Sequence, residues 1–135
     1  MAVVLLTTAC GQEKPKPVDI EPGDMCASCK MAISQKKYAA EFVDKEGTTF
    51  KFDDIGCMLR FVKVRGLEDR VEAYFVVDYG TQNWLDARSS AYVKSAALPS
   101  PMGSGLIAVK EKPQAEALAE RYHGTILAFD DLSQM

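Results

Sequence analysis

The sequence predicts an α+β protein made of two related ββαβ units packed together, with mostly antiparallel sheets and one helix in each unit. Three observations predict it. The chain has 135 residues, 47% hydrophobic and 26% charged, which is the balance of one globular domain and excludes disorder or a large multidomain enzyme. From Tyr38 the apolar pattern reads strand, strand, helix, strand, and the same order recurs from Ala91. Each unit spans only about 40 residues, too few to bury much core alone, so the two must share one.

In the first unit, residues 38–43 and 48–52 read as strands around Asp44-Lys45-Glu46-Gly47, a hairpin turn with glycine where φ is positive. Asp53 or Asp54 can cap a helix that sets Ile55, Met58, Leu59 and Val62 on one face, and Gly66 ends it. Residues 71–77 form the next strand. In the second unit, residues 91–94 and 106–110 read as strands. A helix over 113–123 follows, with Pro113 in its first turn and Gly124 just past its end, and residues 125–129 close the unit as a strand. Trp84 is expected to anchor the connection. The first unit is thus assigned to residues 23–82 and the second to 83–135.

The N-terminus has a different character. Residues 1–10, MAVVLLTTAC, read as a truncated lipoprotein signal ending at Cys10: a short apolar stretch, then small residues, then a thiol for acylation. Residues 11–22 are polar and proline-containing, and are expected to be a flexible tether. Acylation of Cys10 would anchor the protein to a membrane and place it in an oxidising compartment. No apolar run approaches the roughly 20 residues of a spanning helix. The net charge of −3 is too weak to mark a nucleic-acid partner.

Four cysteines, six methionines and one histidine are the informative part of the composition. Met25-Cys26-x-x-Cys29-x-Met31 sets four sulfurs within seven residues, in a loop rich in Gly, Asp, Ser and Lys. Two thiols separated by two residues can grip one ion, and thioethers favour Cu(I) over zinc, which prefers thiolate and imidazole. A two- or three-coordinate Cu(I) site with an open position suits a carrier. Other readings are a plain disulfide between Cys26 and Cys29, a redox-active CxxC (which belongs at a helix start after a strand), or zinc held by Cys26, Cys29, Cys57 and His123. Cys57 reads first as a small buried hydrophobe, and alternatively as a third thiol offered from the first turn of its helix. Met102, at the tip of the turn-rich loop 99–105, either is an ordinary exposed residue or brings a thioether to the cluster. His123 suits the end of its helix better than a ligand position. The Asp53-Asp54 pair is explained as a cap, and no Ser-His-Asp set is evident, so binding without catalysis is expected.

The lipobox-like Cys10, the Met25-Cys26-x-x-Cys29-x-Met31 loop, Phe52-Asp53-Asp54-Ile55-Gly56-Cys57 and Pro101-Met102-Gly103-Ser104-Gly105, taken in this order, resemble the NosL family. These are the accessory lipoproteins of nitrous oxide reductase maturation. The resemblance implies a periplasm-facing copper chaperone that binds Cu(I) and delivers it for assembly of the reductase's copper centres. It implies a lipid anchor, at the outer membrane, a monomer, and transient contact with the reductase or its assembly machinery. It also implies two related ββαβ units, similar in topology to part of the organomercurial lyases. The family's Cys-x-Met core falls on Cys29 and Met31 and its loop methionine on Met102, with Cys26 and Met25 as further ligands or support. An imidazole ligates in some members. The first half alone is also similar to YHS and TRASH-type metal-sensing modules, which leave the second half unexplained.

Overall fold

The computed structural model describes residues 13–135, so Cys10 and the signal-like segment lie outside the described residues. β1 (Ala40–Asp44) and β2 (Thr49–Phe52) form an antiparallel hairpin with Gly47 at φ +85°. Helix α1 (Ile55–Val64) follows at once, because Asp54 stands in extended conformation and accepts the Gly56 N–H at 2.7 Å. The helix ends in a Schellman turn, in which Gly66 (φ +62°) donates to the Lys63 carbonyl and Leu67 to that of Val62. β3 (Val71–Val77) then returns antiparallel along the other side of β1.

The second unit repeats this course with β5 (Ala91–Lys94), β6 (Leu106–Val109), α2 (Lys112–Tyr122) and β7 (Thr125–Ala128). In both units the first strand lies between the second and third, giving sheet orders β2-β1-β3 and β6-β5-β7. Two elements were not anticipated. β4 (Trp84–Asp86) adds to the first sheet beside β3, although it lies past residue 82. It is too short to show an alternation, and it is set by a turn in which Asp78 accepts the Gly80 and Thr81 N–H groups. Trp84 therefore sits on an edge of the first sheet. α3 (Phe129–Ser133) begins where a strand end was expected; Asp131 accepts the Ala128 N–H at 2.8 Å, and Phe129 and Leu132 turn inward one helical turn apart. At the end of α2, His123 rather than Gly124 takes the left-handed conformation (φ 53°). Gly124 answers a different need, since a Cβ there would lie 2.7 Å from Val93 Cγ1.

One buried cluster joins the units: Phe42, Phe52, Met58 and Val76 from the first pack with Tyr92, Leu106, Phe129 and Leu132 from the second. The sheets also touch through a parallel bridge between Asp78 and Ala108. A smaller cluster of Tyr38, Val93, Ile107, Val109 and Ala115 lies under α2. Among the described residues no helix is long and apolar enough to cross a membrane.

The far end of the stretch expected as a tether is held to the first sheet. Val18 N–H donates to Glu41, Lys51 Nζ to the Asp19 carbonyl, and Trp84 Nε1 to Asp19 Oδ1. Glu41 is fully buried on β1; one carboxyl oxygen takes the Val18 N–H at 2.5 Å and the other has no partner among the described residues. Burial pushes its pKa up to about 7 from an ordinary 4.5, with the Val18 N–H and the Lys51 charge countering in part. Because the folded value is the higher one, folding takes up a proton between those values. Stability therefore falls as pH rises from 4.5 to about 7 and stays at the lower level above it. Glu41→Gln keeps the shape and the acceptor for Val18 without the charge. In urea denaturation it should match the parent near pH 4.5 and exceed it by about 2–3 kcal/mol at pH 8. A parent protein whose stability is flat across this window would show that Glu41 titrates normally.

Candidate metal centre

The thiol loop is a tight backbone structure. Met25 and Ala32 form an antiparallel bridge, Cys26 N–H donates to the Met31 carbonyl at 2.8 Å, and Lys30 N–H donates back to the Cys26 carbonyl at 3.0 Å. Lys30 takes φ +62° to close the turn. Ala27 N–H donates to the Lys51 carbonyl, which docks the loop on β2 just before α1 begins. The first turn of α1 supplies the rest. Cys57 faces the loop, and Asp53, two residues before the helix, points into the same space.

The sulfurs of Cys26, Cys29 and Cys57 and a carboxylate oxygen of Asp53 all lie within 4.8 Å of one another. Among the described residues all three of these thiols are free. Cys26 and Asp53 are buried, whereas Cys29 and Cys57 are half-buried, so the cluster has a dry floor and an accessible mouth. The Cys29 thiol donates to Asp53 Oδ2 at 3.5 Å, and Asp53 Oδ1 has no hydrogen-bond partner among the described residues. Burial raises the Cys29 thiol pKa, with Cys26 and Asp53 adding to the rise and a backbone hydrogen bond from Met31 opposing it. Burial, then repulsion from Cys26 and Asp53, lifts Cys57 much further. Both shifts favour the protonated thiol, and a thiol must give up its proton to ligate a metal.

The second unit reaches this site through one loop. Met102 N–H donates to Asp54 Oδ2 at 3.0 Å while Asp54 Oδ1 caps α1. Gly56 is required by the same contact, since a Cβ there would stand 2.6 Å from Ser104 Cβ. The structure thus brings together Cys26 and Cys29 from the expected site, and sets Met102 on a loop pinned to the helix turn that bears Cys57. Met25, Met31 and Met102 are exposed, at 56%, 62% and 49%. His123 caps α2 and is not a member of the cluster. Sequence reasoning treated Asp53 as half of a cap; with Asp54 alone capping the helix, the second carboxylate was the available signal. Cys57 sits in the cluster, which agrees with the second of its two readings, a third thiol offered from the first turn of α1, and not with the small buried hydrophobe that its place on the apolar helix face suggested first.

A family model described as NosL matches residues 17–135. The chain belongs to the NosL family. It is 29% identical over 144 residues to a copper-binding lipoprotein NosL of Stutzerimonas stutzeri, a match covering 94% of this chain and 74% of the relative. In fold it is similar to the crystal structure of the copper chaperone NosL from Shewanella denitrificans, with a TM-score of 0.73 and 22% identity, over 89% of this chain and 97% of that one. Both are named as binding proteins rather than enzymes. The two-unit α+β fold of this NosL protein agrees with that structure.

Asp54 is the residue whose loss should separate the two halves of the site. Asp54→Ala removes a helix cap and leaves the Met102 N–H unpaired, so urea denaturation should show a loss of about 2–4 kcal/mol. A loss below about 0.5 kcal/mol would mean that the loop holds to α1 without this carboxylate.

Proposed function

We propose that this NosL protein is a Cu(I) chaperone in which Cys26, Cys29 and Cys57 capture the ion and the methionines around them pass it on. The observation that carries the reading is the convergence of three free thiols at a half-open site. Thiolate is the donor that Cu(I) prefers, and few other soft ligands in so small a chain are needed to hold it. Met31, Met102 and Met25 expose thioethers on the two loops beside the thiols. Soft and uncharged, they can take the ion briefly while a receiving protein supplies its own ligands, which is associative exchange rather than release into water. The names of the two relatives, a copper-binding lipoprotein and a copper chaperone, support the same reading.

The finer parts follow from the family. The copper would serve the assembly of nitrous oxide reductase copper centres through transient contact with the reductase or its assembly machinery. An acylated Cys10 would anchor a monomer on the periplasmic side of the outer membrane. A YHS or TRASH-like module accounts for the first unit only, whereas the family match runs through both. Among the described residues His123 is not one of the donors that converge with the thiols; it caps α2, which speaks against a zinc site completed by it.

Anaerobic competition with a chromophoric Cu(I) chelator tests the ligand set. Cys29→Ser and Cys57→Ser should each weaken Cu(I) binding by at least about 100-fold, more than is usual for a residue that only supports a ligand. Met31→Leu and Met102→Leu should change affinity by less than about tenfold and slow transfer to the chelator. Unchanged Cu(I) affinity in both thiol variants would sink the reading.

A further inference from the structure

A cavity of about 330 Å³ lies between the two units and plays no part in the thiol site. Its walls are Leu59 and Val62 of α1, Tyr74 of β3, Leu106 of β6, and Phe129 and Leu132 of α3. Small-molecule sites favour such junctions and run from about 300 to about 1,000 Å³. Cys26, Cys29, Asp53 and Cys57 do not line it, and neither do Met25, Met31 and Met102. The walls are set by the fold's own packing. Val62, Leu106 and Leu132 are buried members of the cluster that joins the units, and the rings of Tyr74 and Phe129 stand 5.2 Å apart at 49°. A void lined by apolar atoms leaves each of them without contacts on one side, and an apolar occupant restores those contacts.

The rim is charged. Arg60, Lys63 and Lys94 line the cavity with one carboxylate, Glu68, an excess of positive charge in a chain whose net charge is −3. All four are exposed, so they edge the opening while the buried apolar side chains form its interior. Among the described residues none of the four is in a salt bridge. Lys63 Nζ donates to the main-chain oxygen of Met135 at 3.2 Å, which leaves Arg60 and Lys94 as the rim cations without a partner among the described residues.

We propose that this cavity binds a single-chain fatty acid, its hydrocarbon chain among the apolar walls and its carboxylate at the rim against Arg60 and Lys94. A flexible alkyl chain adapts to walls made mostly of branched aliphatic side chains. The guanidinium of Arg60 presents the paired N–H donors that a carboxylate accepts, and Lys94 adds a second positive charge. An alkyl chain with a cationic head would meet three like charges at the same opening. Gly56 and Ser104, whose close approach joins α1 to the Met102 loop, also line the cavity. A bound chain therefore touches both units and spans the seam between them.

Isothermal titration calorimetry of dodecanoate, kept below its micellar concentration, into the full chain tests the proposal. One dodecanoate per protein is expected, with a Kd of about 100 μM or tighter, and the affinity should fall as salt is raised. Dodecyltrimethylammonium, which has the same chain and the opposite charge, should bind at least about tenfold more weakly. Arg60→Gln combined with Lys94→Gln should weaken dodecanoate by at least about tenfold, and because both positions are exposed, thermal stability should be nearly unchanged. Leu59→Trp, which fills the cavity from a half-buried wall position, should abolish binding. Amide NMR shifts during the titration place the ligand without any variant: the largest changes are expected in α1, around Leu106 and in α3, with the thiol loop little affected. A parent that does not bind, equal affinity for the alkyl cation, a variant of either kind that binds as well as the parent, or shifts centred elsewhere overturns the proposal. So does a concentration-dependent dimer in sedimentation that Leu59→Trp removes, since a second copy of the chain would then be the occupant.

Discussion

The arrangement of the site depends on the two oxygens of Asp54. One starts α1 by accepting the Gly56 N–H, and the other holds the Met102 loop of the second unit. Because the cap fixes where the helix begins, it fixes the direction of Cys57 in the first turn and leaves Asp53 on extended backbone just before it. Because the other oxygen is engaged by the loop, the second unit cannot shift without disturbing that turn. The glycine at 56 allows the approach, as any side chain would collide with Ser104. A single buried carboxylate thus links helix start, thiol direction and the packing of one unit on the other.

The cluster built on this turn combines a dry floor with a reachable mouth. Asp53 is buried, and Cys26 belongs to the same buried cluster as Phe42, Phe52 and Phe61, whose rings stack and tilt against one another. Desolvation and mutual repulsion raise the thiol pKa of Cys29 and Cys57 and so favour their protonated forms. The same crowding that opposes charged thiols favours a bound cation, since it removes the repulsion. Rings and strands hold the donors close, so little ordering is left to be done on binding.

Much of this was legible in the residues, and the rest was hidden for physical reasons. The repeated ββαβ order showed because its strands and helices are long enough to display their periods, and the turn residues Gly47 and Gly66 mark true boundaries. β4 and α3 did not show: three residues cannot display an alternation, and a single helical turn depends on Phe129 and Leu132 finding a core made elsewhere. Local spacing revealed Cys26 and Cys29. It left Cys57 with two readings and did not reveal Asp53, because their part in the cluster arises from how α1 sits on the loop, a contact between residues more than twenty positions apart. Methionine content pointed to soft-metal chemistry, and the structure gives those thioethers exposed positions on the loops instead of a place in the buried cluster.

Lys51 explains why the thiol loop is held rather than loose. Its backbone carbonyl takes the Ala27 N–H, and its ammonium bonds both the Asp19 carbonyl at 2.7 Å and Asp24 Oδ2 at 2.6 Å. That ammonium holds the Asp24 carboxyl below its ordinary pKa, chiefly through the hydrogen bond. An exposed ion pair contributes little stability by itself. Here, however, one residue of β2 fastens the chain at 19, 24 and 27, on both sides of Met25. Asp24 also returns its carbonyl to the Ile33 N–H, closing the base of the loop. The segment leading to the thiols is therefore part of the sheet's edge, and any pull from the N-terminal side is borne by β1 and β2 before it reaches the cluster.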